Sequence, residues 1–205
     1  MTELKEHWEN IYAKKSFEEV SWFQKHPETS IGLIDSCRPG KDDKIIDIGG
    51  GDSDLAKILL ELGYTDITVL DISAAAIERA KKKIGDRANE IHWIVSDVID
   101  FKPERSYEIW HDRAAFHFLI QEQDINSYLK LIDQFASKYV IIGTFSDIGP
   151  TKCSGLPITQ YDEPKMSAAL EQSNFKIIES DRPVHITPSG GEQPYLFVTA
   201  SKNLV

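Results

Sequence analysis

The chain has 205 residues, long enough for one sizeable core and short of a comfortable two. It is 41% hydrophobic and 27% charged, which excludes a disordered or collagen-like chain and fits a folded domain. Thirty-three acidic residues against 23 lysines and arginines leave a net charge of −10, a balance that repels phosphate and argues against a nucleic-acid partner.

The opening stretch, MTELKEHWEN, has no apolar signal core, and no run approaches the roughly 18 apolar residues that cross a bilayer. A cytoplasmic protein without a membrane partner is expected. Residues 1–40 are read as helices that cap a sheet edge. KIIDIG (44–49) is a strand, and DSDLAKILLEL carries Leu55, Ile58, Leu59 and Leu62 at helical spacing. DITVLDI (66–72) is the next strand, after which Ser73 caps a helix with Ile77, Ala80 and Ile84 inside. Lys81, Lys82 and Lys83, the one cationic cluster, end that helix and read as a solvated face at the negative end of its dipole. IHWIVSD (91–97), YEIWHDR (107–113) and YVIIGTF (139–145) are three more strands, with an amphipathic helix through Ile125, Tyr128, Leu129, Ile132 and Phe135.

Strand and helix in alternation predict a doubly wound α/β fold with a mostly parallel sheet. The last third breaks that alternation. A helix near 163–172 precedes FKIIESDRPVHI and QPYLFVTAS, joined by TPSGGEQ, so an antiparallel hairpin over 175–202 should end the sheet in a reversed strand. The segment 146–164 has no clear periodicity and follows the fifth strand, which marks it as a candidate substrate lid carrying Cys153 and Tyr161. Cys37 and Cys153 are too few for a disulfide framework, and His111, His117, Cys153 and His185 lack ligand spacing, so no metal is expected.

Ligands of open parallel sheets sit beyond the carboxyl ends of the strands. There the sequence places Asp47, Gly49, Gly50 and Gly51, followed by Asp52 and Asp54. Glycines let a ligand approach the backbone, but a phosphate loop would supply lysine with serine or threonine, or a third glycine near the helix. The acids here suit a cationic or neutral ligand. Asp71, followed by Ile72, can accept both hydroxyls of a ribose, and Asp97 with Val98 can meet an adenine. These strand ends describe a nucleoside pocket without phosphate recognition, and S-adenosylmethionine is such a nucleoside with a positive sulfonium.

DIGGGDSD, LDIS, SDV and HDRA together resemble the class I S-adenosylmethionine-dependent methyltransferases, firmly over 44–145, and the terminal hairpin agrees with that family's seven-stranded sheet. HWENIYAKKSFEEVSWFQ and LELGYTDITVLDIS resemble the branch with elongation-factor lysine methyltransferases and small bacterial relatives. The resemblance implies that Tyr12 and Trp22 close over the methionine end of the cofactor. It also marks Gly50, where the family often has cysteine, as a source of extra mobility in the turn. His111, Asp112 and Arg113 end strand four at the lip of the site. His111 is expected beside the cofactor, Asp112 or His117 as the group that positions or deprotonates the acceptor, and Arg113 as the residue that orients it. A small molecule is the favoured acceptor and a protein lysine the alternative; a nicotinamide-dependent oxidoreductase and a non-catalytic cofactor-binding module are readings from other classes. Acceptor identity and oligomeric state are not encoded in any motif.

Overall fold

The computed structural model describes residues 3–203. Two helices, α1 (Glu3–Lys14) and α2 (Glu28–Ser36), precede β1 (Ile45–Ile48). Alternation then runs through α3 (Leu55–Glu61), β2 (Ile67–Asp71), α4 (Ala74–Ile84), β3 (Ile91–Val95), β4 (Tyr107–Arg113), α5 (Glu122–Phe135) and β5 (Ala136–Phe145). A two-stranded hairpin, β6 (Lys152–Cys153) with β7 (Leu156–Pro157), leads to α6 (Glu163–Glu171), β8 (Phe175–Asp181), β9 (Val184–Ile186) and β10 (Glu192–Lys202). None of the helices among the described residues is long and apolar enough to cross a membrane.

The main sheet runs β3-β2-β1-β4-β5-β10-β8, with β9 paired to the start of β10. Strands β1 to β5 are mutually parallel, and β10 runs antiparallel to both neighbours, β5 and β8. The sheet therefore does not end in a reversed strand as expected. Strand β10 is buried from Tyr195 to Ala200 and needs cover on both sides, whereas β8 exposes most of its residues and suits the edge. The stretch expected as one strand over 175–186 is two, because Arg182-Pro183 interrupts the ladder where proline has no N–H to give. The glycine-rich turn joins β9 to β10, with Thr187 N–H donating to Gly191 O at 2.8 Å.

The pleat divides the core into two layers. Ile46, Ile48, Trp110, Val140 and Ile142 face Tyr128 and Ile132 of α5 and Met166 and Leu170 of α6. Ile45, Val69, Ile109 and Ile141 face Ile34 of α2, Leu55 and Leu59 of α3 and Ile77 of α4. Period-two alternation assigns each strand residue to one layer, and each buried isoleucine or leucine contributes about 1.5–3 kcal/mol relative to exposure.

Helix α1 is fastened to α4 at both ends. The Glu9 carboxylate accepts from the N–H groups of Ala74 and Ala75 and from the Ser73 hydroxyl, at 2.7–3.1 Å, and so covers the α4 N-terminus. Burial pushes the Glu9 carboxyl up, but these three donors outweigh it and hold the group below its usual range. In return Arg79 of α4 donates to Tyr12 O at 3.0 Å and Lys15 O at 2.8 Å, beyond the last turn of α1. The lysines at the end of α4 are not all a solvated face: Lys83 pairs with Asp54 at 2.9 Å, donates to Asp52 O and lies 3.8 Å from the Phe17 ring centroid.

Replacing Glu9 by alanine should cost about 1 kcal/mol, the usual loss for a helix cap. Hydrogen exchange should speed up across residues 3–14 and at the start of α4, with little change in β1, β4 or β5.

Candidate functional site

A cavity partly open to solvent lies beyond the carboxyl ends of β1, β2 and β4. Its floor contains Asp47, Gly49, Gly50, Asp71, Ile72, Asp97 and Val98, and its outer wall contains Trp8, Tyr12 and Trp22.

The glycine turn is closely packed and hydrogen-bonded to β2. The N–H groups of Gly49 and Gly50 both donate to Leu70 O, at 2.7 and 3.3 Å. A Cβ at Gly49 (φ 66°) would stand 2.7 Å from Ala115 Cβ, and one at Gly51 (φ 49°) 2.6 Å from the Tyr12 hydroxyl. At Gly50 a Cβ would meet Asp47 Oδ2 at 2.5 Å and Val69 Cγ1 at 2.9 Å. All three glycines have close neighbours that a Cβ would strike, which is why the turn needs them.

Four carboxylates crowd this edge, each compensated differently. Asp47, 3% exposed, bonds His111 Nδ1 at 2.7 Å, and His111 Nε2 meets Ser30 Oγ at 2.9 Å. Asp52, 2% exposed, meets Arg79 at 2.7 Å; burial raises its carboxyl, and the Arg79 and Lys83 charges oppose it. Asp71 accepts the Ser73 N–H at 2.8 Å. Burial pushes the Asp71 carboxyl up to about 7, against the Ser73 N–H and with added repulsion from Asp52 and Asp47. Asp97, half-buried, accepts the Ile99 N–H at 3.1 Å through one oxygen.

A phosphate would find no partner on this floor. The cations nearest the turn, Arg79 and Lys83, are spent on Asp52 and Asp54, and Arg113 is the one arginine or lysine among the described residues that line the cavity. Buried acid with unspent acceptors, glycine backbone and a positive-free floor fit a nucleoside with a cationic group.

Tyr12, Trp22, His111, Arg113 and Cys153 also border the cavity, while Gly51 lies behind Tyr12. Three expected site residues do not reach it. Asp112 is fully buried on the opposite face of β4, where Oδ1 accepts from Ala115 and Phe116 N–H and Oδ2 from the Tyr128 hydroxyl at 2.5 Å. Burial raises its carboxyl to about 6 despite those bonds. His117 is fully buried against Phe118 and Phe145, its Nδ1 accepting the Phe145 N–H at 3.3 Å, and burial followed by the Arg113 charge lowers it to about 3. Tyr161 is 2% exposed and packs on Phe116 in the α5 layer. Neither catalytic assignment agrees with this geometry, since a base must reach its proton. Side chains that the sequence reading missed include Trp8, whose ring lies 5.6 Å from Trp22 and 5.1 Å from Phe118, and Ser30 beneath His111. Trp8 sits one helical turn before Tyr12, a spacing that puts both on one face.

Residues 45–137 match a family model described as a methyltransferase domain. That segment, somewhat under half of the chain, is similar to methyltransferase domains. The chain is 28% identical over 180 residues to malonyl-[acyl-carrier protein] O-methyltransferase 1 of Ilyobacter polytropus, covering 82% of this chain and 65% of that protein. It is 22% identical over 120 residues to the eEF1A lysine and N-terminal methyltransferase of Mus musculus, covering 58% of this chain and 17% of that protein. The chain thus spans about two thirds of the first relative's length and a small part of the second's. Among solved structures, 1,6-didemethyltoxoflavin-N1-methyltransferase of Burkholderia thailandensis, with bound 1,6-didemethyltoxoflavin and S-adenosylhomocysteine, superposes with a TM-score of 0.72 at 17% identity, covering 98% of this chain and 88% of that one.

Replacing Tyr128 by phenylalanine should leave Trp110 Nε1, 3.0 Å from the tyrosine oxygen, and Asp112 Oδ2 without their shared partner. A loss of about 1–3 kcal/mol is expected for each stranded group, read as a lower Tm, while affinity for S-adenosylhomocysteine stays unchanged.

Proposed function

We propose that this protein transfers the methyl group of S-adenosylmethionine to a small-molecule acceptor that enters beside Arg113. One observation carries the choice of acceptor: the acceptor end of the cavity is aromatic and carries an arginine, whereas the acids lie on the floor. A lysine ammonium would meet a like charge there, without a carboxylate to neutralise it. The similarity to an enzyme named for lysine methylation keeps a protein acceptor as the second reading.

The residue roles follow from position. Asp71 receives the ribose hydroxyls, Asp97 and Val98 the adenine, and Gly49 and Gly50 allow close backbone approach. Tyr12, Trp8 and Trp22 cover the methionine end and keep water out. The bound cofactor supplies a methyl group already activated by a positively charged sulfur. The chain then has to align the acceptor atom about 3 Å from that carbon, on the side opposite the sulfur. His111, bonded at one nitrogen to Asp47 and at the other to Ser30, fixes Asp47 under the turn. The segment 146–164 supplies Cys153 to the acceptor wall, in the position of a lid.

Calorimetric titration should give micromolar binding of S-adenosylmethionine and S-adenosylhomocysteine and none of NAD. Asp71→Ala should weaken the two sulfur nucleosides by at least about tenfold, the loss of hydrogen bonds to a charged acceptor. Binding of NAD alone would refute the reading.

Asp71 also sets a pH dependence. Its carboxyl stands near 7 in the free protein, and the ionised form is the one that accepts two hydroxyls. Ligand binding lowers that value, so affinity for S-adenosylhomocysteine should rise as pH increases through about 7, with a proton released. Calorimetry in buffers of different ionisation enthalpy reads this, and Asp71→Asn should abolish it.

A further inference from the structure

Arg113 is unlike the other arginines of this chain. Arg79, Arg87, Arg105 and Arg182 each pair with a carboxylate, and Arg38 is exposed. Arg113 is half-buried, lines the cavity and makes a single hydrogen bond, from Nη2 to Trp22 O at 2.7 Å. The guanidinium has five N–H donors in a planar fork suited to a carboxylate, so four are open here.

Among the described residues no carboxylate forms an ion pair with it. Its charge acts on His117, Cys153, His185 and Tyr195. All four are neutral near pH 7, because burial lowers both histidines and raises the thiol to about 11 and the phenol to about 12. A partly desolvated cation without a partner is costly, and an anion from outside would satisfy it.

A second observation is independent of the first. Apart from His111, none of the three other candidate bases can take a proton at the acceptor end: Asp112 and His117 are turned away, and Cys153 remains a thiol. An acceptor that arrives already ionised needs no base.

We propose that the acceptor is a small carboxylic acid, held as its carboxylate by the Arg113 guanidinium and methylated on a carboxylate oxygen. The inference rests on the methyltransferase reading above and names its substrate class. The carboxylate oxygen gives an electron pair to the methyl carbon as the carbon–sulfur bond breaks, and that bond's pair stays on sulfur. The acid becomes a neutral ester, the sulfonium becomes a neutral thioether, and no proton moves. Trp8, Trp22 and Phe118 would hold the apolar remainder of the acid.

The test uses the full chain saturated with S-adenosylhomocysteine. Benzoate, 3-phenylpropionate and octanoate, each beside its amide, are titrated by ligand-observed NMR. At least one acid should bind about tenfold or more tightly than its amide, as expected for charge-assisted bonds. Arg113→Gln should remove that preference and Arg113→Lys should keep part of it, with both variants still binding S-adenosylhomocysteine. With S-adenosylmethionine the preferred acid should gain one methyl group that mild alkali releases as methanol. The inference fails if no acid outcompetes its amide, if the preference survives Arg113→Gln, or if an acid bound at Arg113 gains no alkali-labile methyl. Should Arg113→Gln not fold, the acid-to-amide ratio in the native protein and in Arg113→Lys decides. Loss of S-adenosylhomocysteine binding by the native protein would instead overturn the cofactor reading.

Discussion

Carboxylates gathered at one edge of a parallel sheet, and largely shut away from water, set the terms for everything built around them. Asp47, Asp52 and Asp71 are each at most 5% exposed. An isolated buried carboxylate costs several kcal/mol, so each needs a partner or stays partly protonated. Asp47 recruits His111 and through it Ser30 of α2, and Asp52 recruits Arg79, which also holds the end of α1. Demands made by acids after β1 thus fix the two N-terminal helices against the sheet. Asp71 receives backbone N–H groups and no cation, and it is the carboxylate left with capacity for a ligand.

The same period-two geometry decides which residues of β4 belong to the site. His111 and Arg113 point to the α2–α3 side, where the cavity opens, and Trp110 and Asp112 to the α5 side. Reading HDRA as a block assigned chemistry to Asp112, whereas alternation from the buried Trp110 would have placed it under α5. The error with His117 has a different origin. Three residues beyond a strand end, a short 3₁₀ turn over Phe116–Phe118 folds the histidine back under β5. No periodicity in four residues could announce that turn.

What was legible followed from local chemistry repeated along the chain: apolar runs ending in acid or glycine, an N-cap at Ser73 confirmed by its bond to Ala76 N–H at 3.1 Å, and the switch from alternation to a hairpin. What was not legible depended on which elements meet. Glu9 and Arg79 lie 70 residues apart in sequence, and neither stretch alone signals a reciprocal cap. The position of β10 between β5 and β8 likewise reflects burial on both faces, a tertiary demand that the hairpin motif does not contain.

The β9–β10 hairpin reaches past the sheet to the segment between α1 and α2. There His185 Nε2 meets Ser21 O at 2.7 Å and its Nδ1 faces Gln24 Nε2 at 3.4 Å. Residues beside Trp22 are therefore braced by residues about 160 positions later, so the floor and the aromatic wall of the cavity are completed at different moments of synthesis. A nascent chain that has released β5 already owns every floor residue, but its outer wall lacks a brace until β9 emerges.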